Sequence, residues 1–171
     1  KNIKPKDALK HPKWKMGKKI SIDSSTLMNK LFEVAEAEKL FNIPNNKLRI
    51  LIHPESLVHA IVEFNNGLKK FIYHDTSMVI PLANAIFENN LNIEDFLKLK
   101  KKIDFKKLNF ENVNAKNFPL IKIKKKINEY PSSSIIYNAA NEILVDLFLQ
   151  KKVTFLGISK TILKIHKDGN Y

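Results

Sequence analysis

Hydrophobic and polar positions recur with different periods along the chain, and the changes of period delimit its elements. Residues 23–41 are helix formers without Gly or Pro, and they begin with three good N-capping types, Asp23, Ser24 and Ser25. This pattern predicts one long helix. Most of its circumference is apolar, and such a helix is expected to be buried.

One polar stripe interrupts that apolar surface. Four side chains spaced i, i+3, i+4 and i+7 face the same side of the predicted helix: Thr26, Asn29, Lys30 and Glu33. A helix start favours anions, and Ser24, Asn29 and Lys30 offer a hydroxyl, an amide and an ammonium of the kind that bind phosphate. The Glu33 carboxylate is a candidate ligand for a divalent cation. The alternative is an ordinary helix face with a weak Lys30–Glu33 ion pair.

Asn and Pro at residues 42–46 predict the end of this helix. The hydrophobic residues that follow recur with the shorter period of strands. Residues 49–53 predict a short central strand. Two β-rich runs, 57–64 and 68–73, flank Asn65-Asn66-Gly67, which is the strongest local signal for a hairpin. We therefore expect a three-stranded sheet after the long helix.

The remaining elements are predicted to be mainly helical. Asp75-Thr76-Ser77 precedes a helix at 78–88, and Ser132-Ser133-Ser134 precedes another at 135–150. Further helical segments are expected at 5–10, 119–127 and 156–165, with an extended connection at 89–117. The fold class is α+β: helices packed on a small, mostly antiparallel sheet, followed by a partial C-terminal helical bundle.

Composition and charge exclude several classes of protein. The chain has 44% hydrophobic residues and 11 Phe, which exclude disorder, and it has no Cys for disulfides or thiolate metal sites. No apolar run is long enough to cross a membrane. The net charge of +13 favours an anionic partner, but the basic residues are almost all Lys, with Arg49 as the one arginine. A non-catalytic basic module that binds RNA or another polyanion is the alternative that the charge leaves open.

The segment around residues 10–18 predicts a mobile flap. It contains His11, followed by Trp14 and Met16 between Pro12 and Gly17, and it has little hydrophobic periodicity. Without further context, His11 would be a surface residue and Trp14 a packing anchor. His53 and His59 are six residues apart at predicted strands, and this spacing does not define a metal pair.

Several motifs together carry a resemblance to a known family. His11-Pro-Lys-Trp-Lys-Met-Gly17 is followed by Ser21-Ile-Asp-Ser24 and by Met28-Asn-Lys30 with Glu33, and the match continues through residues 51–59, the hairpin and 138–142. In these residues the chain closely resembles 1-deoxy-D-xylulose 5-phosphate reductoisomerase. The resemblance implies conversion of that sugar phosphate to 2-C-methyl-D-erythritol 4-phosphate, with NADPH and Mg²⁺ or Mn²⁺, in non-mevalonate isoprenoid biosynthesis.

The resemblance also implies a role for each matching residue. Catalysis is implied for His11, Lys30 and Glu33, with Glu33 as a metal ligand. Substrate binding is implied for a larger set: His11, Trp14, Ser24, Asn29, Lys30 and Glu33. Proximity to the NADPH cofactor is implied for Met16, Gly17 and Met78. The same resemblance implies that the protein binds fosmidomycin-type phosphonates and forms a homodimer, with no nucleic-acid or membrane partner. It also implies location in a bacterial cytoplasm or a plastid-like organelle.

Differences from the family limit what this chain is expected to do alone. It has four Gly, no G-x-G-x-x-G motif, and one of the three metal ligands that the family uses. We therefore expect an internal fragment, inactive by itself, with the N-terminal NADPH domain absent. Its expected division is a catalytic region at 1–90, a connection at 91–116 and a partial helical bundle at 117–171. Leu31 stands where relatives often have Gly, and we expect only repacking there.

Overall fold

The computed structural model describes residues 3–10, 17–87, 92 and 107–168. Spatial contacts divide the chain into two compact units, one formed by Lys1–Leu51 with Asn112–Tyr171 and the other by Ile52–Glu111. Helices and small sheets both occur in the described residues, so the predicted α+β class is confirmed. No helix in the described ranges has both the length and the apolarity needed to cross a membrane.

The first unit is built mainly from helices. Its α-helices are α1 (Pro5–Ala8), α2 (Lys18–Thr26), α3 (Met28–Phe41), α5 (Ser133–Leu149) and α6 (Phe155–Asp168). Two 3-10 helices accompany them, at Asn45–Lys47 and Pro119–Lys126. The helical segments predicted near 5–10, 135–150 and 156–165 are confirmed, whereas the one predicted at 119–127 adopts the tighter 3-10 form.

The single helix predicted at 23–41 is wrong, because the chain breaks at Leu27. This residue has φ 70° and ψ 4°, in the left-handed region, and it separates α2 from α3. That conformation costs an L-residue about 1–2 kcal/mol. The Leu27 side chain is only 3% exposed, and burying a leucine contributes about 1.5–3 kcal/mol, enough to offset the strain.

The apolar faces of these helices share one core. Its fully buried side chains come from α2, α3, the second 3-10 helix, α5 and α6: Ile22, Met28, Leu31, Leu120, Ile123, Ile127, Tyr137, Phe148, Ile158 and Ile162. Leu31, which departs from the family pattern, therefore lies in the core. The burial predicted for most of the long helical segment is confirmed for its apolar side.

The described part of the second unit includes the predicted hairpin and a helix that follows it. Strands β2 (Val58–Glu63) and β3 (Lys69–Tyr73) pair antiparallel, and Gly67 takes φ 86° in the connecting turn. There the Phe64 N–H donates to the Leu68 carbonyl oxygen at 2.9 Å. Helix α4 (Val79–Phe87) follows, and the Ser77 hydroxyl oxygen accepts the Val79 N–H at 3.3 Å, so the predicted hairpin and cap are both confirmed.

The predicted three-stranded sheet is wrong. In the described residues, strand β1 (Leu51–Ile52) pairs with β4 (Glu111–Asn112), whereas β2 and β3 form a separate sheet. Strand propensity at residues 49–53 did not reveal this partner, because β4 is distant in sequence and itself has little strand character. Most of the connection predicted at 89–117 lies outside the described residues.

We expect the break at Leu27 to invert the usual ranking of alanine and glycine. Leu27→Gly should be more stable than Leu27→Ala by about 1 kcal/mol, because glycine adopts positive φ without steric cost. Urea unfolding of the two variants measures the difference. At Leu31, which is buried inside α3, the alanine variant should be the more stable one. If the glycine and alanine variants had the same order of stability at Leu27 and at Leu31, the backbone strain assigned to Leu27 would be contradicted.

Candidate functional site

The first turns of α3 bring together three of the predicted site residues. Lys30 Nζ lies 2.8 Å from both carboxylate oxygens of Glu33, and Asn29 Nδ2 donates to Glu33 Oε1 at 2.6 Å. The side chains of Lys30 and Glu33 are 48% and 46% exposed. The shared polar face predicted for Asn29, Lys30 and Glu33 is therefore present, with Lys30 and Glu33 exposed and Asn29 half-buried, while their roles stay predictions.

This triad offers both a cation and an anion at the start of a helix. Helix geometry leaves the first N–H groups of α3 without intrahelical acceptors, and the helix dipole favours an anion there. An incoming phosphate group would compete with the Glu33 carboxylate for the donors of Lys30 and Asn29. The ion pair is solvent-exposed, so its loss would cost little by itself, on the order of 0–1 kcal/mol.

Thr26 does not belong to this polar face, contrary to the predicted stripe. It is the last residue of α2, is 3% exposed, and donates its hydroxyl to the Asp23 carbonyl oxygen at 3.2 Å. The same hydroxyl oxygen accepts the Met28 N–H at 3.4 Å. The Leu27 break rotates the chain between Thr26 and Asn29, which invalidates a stripe drawn on one continuous helix.

Ser24 and Asp23 also occupy other places than predicted. Both lie in the last turns of α2 and not at a helix start, because α2 begins at Lys18. Ser24 is partly buried, and its carbonyl oxygen accepts the Leu27 N–H at 3.2 Å. Asp23 is 3% exposed and forms an ion pair of 2.7 Å with Lys19 Nζ. Asp23 therefore serves tertiary packing where an N-cap was expected.

A buried amide completes the surroundings of Asp23. Asn141 on α5 is fully buried and donates through Nδ2 to Asp23 Oδ1 at 2.8 Å. Sequence reasoning did not single out Asn141 as a site residue. The available signal was an amide on an otherwise apolar helix face that also carries Tyr137, Leu144 and Phe148.

Three further predicted site residues lie outside the described part of the chain, and two others can be located. His11, Trp14 and Met16 lie outside the described residues, as does most of the predicted flap. Gly17 is the exposed N-cap residue of α2, where an added Cβ would meet no atom within 4 Å. Met78 lies in the second unit, immediately before α4, and is 57% exposed. The proximity of Met16, Gly17 and Met78 to a cofactor stays a prediction.

A divalent cation would find one suitable ligand in the triad. Mg²⁺ and Mn²⁺ prefer carboxylate oxygens, and Glu33 provides two of them on an exposed helix face. In the part of the chain that the structure describes, no three His, Asp or Glu side chains cluster closely enough to hold a metal. Glu33 therefore fits a metal site as a single ligand, and further ligands have to come from elsewhere.

The second unit contains a polar cluster that sequence reasoning missed. His53 Nδ1 lies 2.7 Å from the Asn109 carbonyl oxygen and 3.0 Å from Glu55 Oε2, and the His53 ring stacks on Phe110 at 4.7 Å. The Asn109 side chain donates to Glu55 Oε1, and its backbone N–H donates to Oε2 at 3.1 Å. These contacts join residues more than fifty positions apart, which local patterns cannot reveal.

The same contacts change the acidity of Glu55. The backbone N–H of Asn109 holds the pKa of Glu55 below its ordinary value, and the Asn109 amide and His53 act in the same direction. Partial desolvation opposes them without reversing the shift. The carboxylate form of Glu55 is therefore the one that this cluster stabilises.

The joined lysine, amide and carboxylate at the start of a helix present the kind of hydrogen-bond donors and positive charge that bind small anions. Residues 75–170 match the DXP reductoisomerase C-terminal domain family, and residues 1–41 match the 1-deoxy-D-xylulose 5-phosphate reductoisomerase C-terminal domain. The chain belongs to the 1-deoxy-D-xylulose 5-phosphate reductoisomerase family.

Individual relatives agree with this assignment. The chain is 52% identical over 170 residues to 1-deoxy-D-xylulose 5-phosphate reductoisomerase of Pelagibacter ubique, a match that covers 96% of this chain and 42% of the relative. The Zymomonas mobilis reductoisomerase in complex with NADPH superposes with a TM-score of 0.80 at 34% identity, over 95% of this chain and 41% of that one. A crystal structure of DOX-P reductoisomerase with NADPH, fosmidomycin and magnesium gives 0.85 at 32% identity, over 94% and 40%. The chain thus spans about two fifths of their length.

We expect acid to weaken the second unit through Glu55. A carboxyl group with a lowered folded-state pKa stabilises the fold above its unfolded pKa, and this contribution is lost as the pH falls through the folded value. Glu55→Gln should therefore flatten the decline of the free energy of unfolding below about pH 5. Denaturant titrations from pH 7 downward measure the slope. Parallel slopes for the wild type and Glu55→Gln would contradict this account.

Proposed function

We propose that the protein containing this chain is an NADPH- and metal-dependent reductoisomerase that converts 1-deoxy-D-xylulose 5-phosphate to 2-C-methyl-D-erythritol 4-phosphate. The observation that carries the proposal is the joined triad of Asn29, Lys30 and Glu33 at the start of α3. It lies in a chain of this family, and it combines donors for a phosphate with a carboxylate for a cation.

Within this proposal, the residues of the triad have different tasks. Lys30 and Asn29 bind the substrate phosphate, assisted by the dipole of α3, and Ser24 adds a hydroxyl from the last turn of α2. Phosphate binding supplies energy remote from the reacting carbons, which the enzyme uses to orient them. Glu33 holds the metal and contacts the substrate. His11, Trp14 and Met16 close over it as a flap, and Met16, Gly17 and Met78 lie near the nicotinamide.

The groups that bind to this chain supply the electrophilic and reducing chemistry. When bound, a divalent metal would supply Lewis-acid chemistry at the substrate oxygens, and NADPH would supply the hydride for the reduction. Glu33 would hold the metal, while Lys30 neutralises the phosphate charge. We expect the remaining metal ligands and most of the NADPH site to come from other parts of the complete protein, so the isolated chain is expected to be inactive.

Further features of the complete protein belong to the same proposal. We expect fosmidomycin-type phosphonates to bind where the phosphorylated substrate binds, since a phosphonate presents similar oxygens to Lys30 and Asn29. A homodimer and the functional division at 1–90, 91–116 and 117–171 are also proposed. Pelagibacter ubique and Zymomonas mobilis are bacteria, which favours a bacterial cytoplasm over a plastid-like organelle.

The alternative function is a basic module that binds RNA or another polyanion. It draws support only from the net charge of +13, which is spread over many lysines. Consumption of NADPH by the complete protein, in the presence of 1-deoxy-D-xylulose 5-phosphate and Mn²⁺, tests the proposed reaction directly. No turnover, together with a strongly salt-dependent affinity for RNA, would favour the alternative.

We expect Glu33→Gln to abolish most turnover of the complete protein, because an amide is a poor replacement for an anionic metal ligand. Steady-state kinetics at limiting and saturating Mn²⁺ measure the effect. Glu36→Gln is the matched control, since Glu36 is an exposed carboxylate on the same helix. Equal activity of both variants at limiting metal would remove Glu33 from the metal site.

We expect Lys30→Ala to raise the KM for the phosphorylated substrate roughly tenfold or more, because a hydrogen bond to a charged group contributes about 1.5–3 kcal/mol. Substrate titration of the initial rate gives KM and kcat. Lys39→Ala is the control, as Lys39 is exposed in the last turn of α3. An unchanged KM in Lys30→Ala would mean that Lys30 only pairs with Glu33.

A further inference from the structure

We propose that Asn141 is a positioning residue for the phosphate-binding side chains. It holds Asp23, and through Asp23 it fixes the junction between α2 and α3, where Ser24, Asn29 and Lys30 are located. This inference rests on the proposed function. It assigns no contact between Asn141 and the substrate, and its effect is exerted entirely through hydrogen bonds within the first unit.

The bond between Asn141 and Asp23 is buried on both sides. Asn141 is 0% exposed and Asp23 is 3% exposed, and Nδ2 of the amide lies 2.8 Å from Oδ1 of the carboxylate. The second carboxylate oxygen, Oδ2, accepts from Lys19 Nζ at 2.7 Å. Lys19 in turn lies over the Phe32 ring, 5.9 Å from its centroid, which connects the same pair to α3. A charge-assisted hydrogen bond in such a setting is stronger than one at the surface.

The amide is retained at an energetic cost. Asn141 Oδ1 is buried and has no hydrogen-bond partner among the described residues, and such an atom is expected to destabilise the fold. A leucine has a similar volume and would suit the apolar face of α5 without this cost. The amide therefore contributes what a leucine cannot, which is the Nδ2 donor to Asp23.

A chain of hydrogen bonds extends from this pair to the start of α3. The Asp23 carbonyl oxygen accepts the Thr26 hydroxyl at 3.2 Å, and the Thr26 hydroxyl oxygen accepts the Met28 N–H at 3.4 Å. Met28 is the first residue of α3 and directly precedes Asn29. The chain connects α5 to α3 across the Leu27 break, where the regular helical ladder is interrupted.

The break makes this support necessary. On a continuous helix, the backbone ladder would fix Ser24 relative to Asn29 and Lys30. At Leu27 the ladder stops, so the angle between α2 and α3 depends on side-chain bonds and packing. Removing the Asn141 donor should shift the phosphate-binding groups relative to one another, and displacements of about 1 Å reduce catalytic efficiency up to roughly a hundredfold.

Asn141→Asp in the complete protein tests the proposal. The substitution preserves size, removes the donor and sets a second carboxylate against Asp23. We expect the KM for 1-deoxy-D-xylulose 5-phosphate and the inhibition constant of inorganic phosphate to rise together, by roughly tenfold or more, with a smaller change in kcat. A parallel rise of these two constants indicates damage to phosphate binding in particular.

Asn128→Asp is the matched control. Asn128 also donates from a partly buried amide to a carboxylate, Glu38 Oε2 at 3.0 Å, and its Oδ1 is likewise buried without a partner in the described part of the chain. Glu38 lies in the second half of α3, away from the junction. We expect Asn128→Asp to lose stability to a similar degree while KM and the phosphate inhibition constant stay at wild-type values.

The double variant Asp23→Asn with Asn141→Asp provides a rescue. It restores an amide–carboxylate hydrogen bond with exchanged partners, and KM should return to within about threefold of the wild-type value. Restoration of KM in the double variant, together with an unchanged KM in Asn128→Asp, supports a positioning role for Asn141. Two results in an active wild-type protein would overturn the inference. One is an equal KM for Asn141→Asp and the control Asn128→Asp, and the other is a folded double variant whose KM is not restored. If wild type has no turnover, the proposed function and this inference fall together.

Discussion

The backbone break at Leu27 is the constraint on which the first unit depends. A left-handed leucine is strained, and the conformation persists because its side chain is buried and because hydrogen bonds on both sides of it are satisfied. The break gives α2 and α3 separate directions. One consequence is that Asp23 is bonded to α5, whereas Lys30 and Glu33 stay exposed and Asn29 is half-buried. Strain of this kind is often found next to functional sites.

The triad on α3 and the buried pair of Asp23 and Asn141 both join a carboxylate to hydrogen-bond donors, but with opposite consequences. Lys30 and Glu33 are about half exposed, so water screens their attraction and either partner can exchange for a ligand at low cost. Asp23 is buried, and its two oxygens are held by Asn141 and Lys19, so its geometry is fixed. The unit thus combines a rigid support with a face whose side chains can change partners.

The second unit shows the same dependence on distant contacts. Glu55 and His53 are close in sequence, but the groups that fix them, the Asn109 backbone and the Phe110 ring, arrive from the far end of the unit. Local propensity predicted the hairpin, because Asn-Gly favours its turn and alternating residues favour its strands. The strand predicted before the hairpin is present as β1, but its place in one sheet with the hairpin is wrong, because β1 pairs with β4, which has no strand pattern of its own.

The sequence by itself determined the helices with long apolar periods, the hairpin, the α+β class and the common face of Asn29, Lys30 and Glu33, since spacing along one helix fixes which side chains meet. The motifs around residues 11–33 also sufficed to identify the family. Only the tertiary structure decided the break at Leu27, the position of Thr26 away from that face and of Ser24 away from a helix start, and the bond of Asp23 to Asn141. The physical reason is that burial can offset a backbone strain and local propensity, and which residues become buried depends on elements more than a hundred positions away.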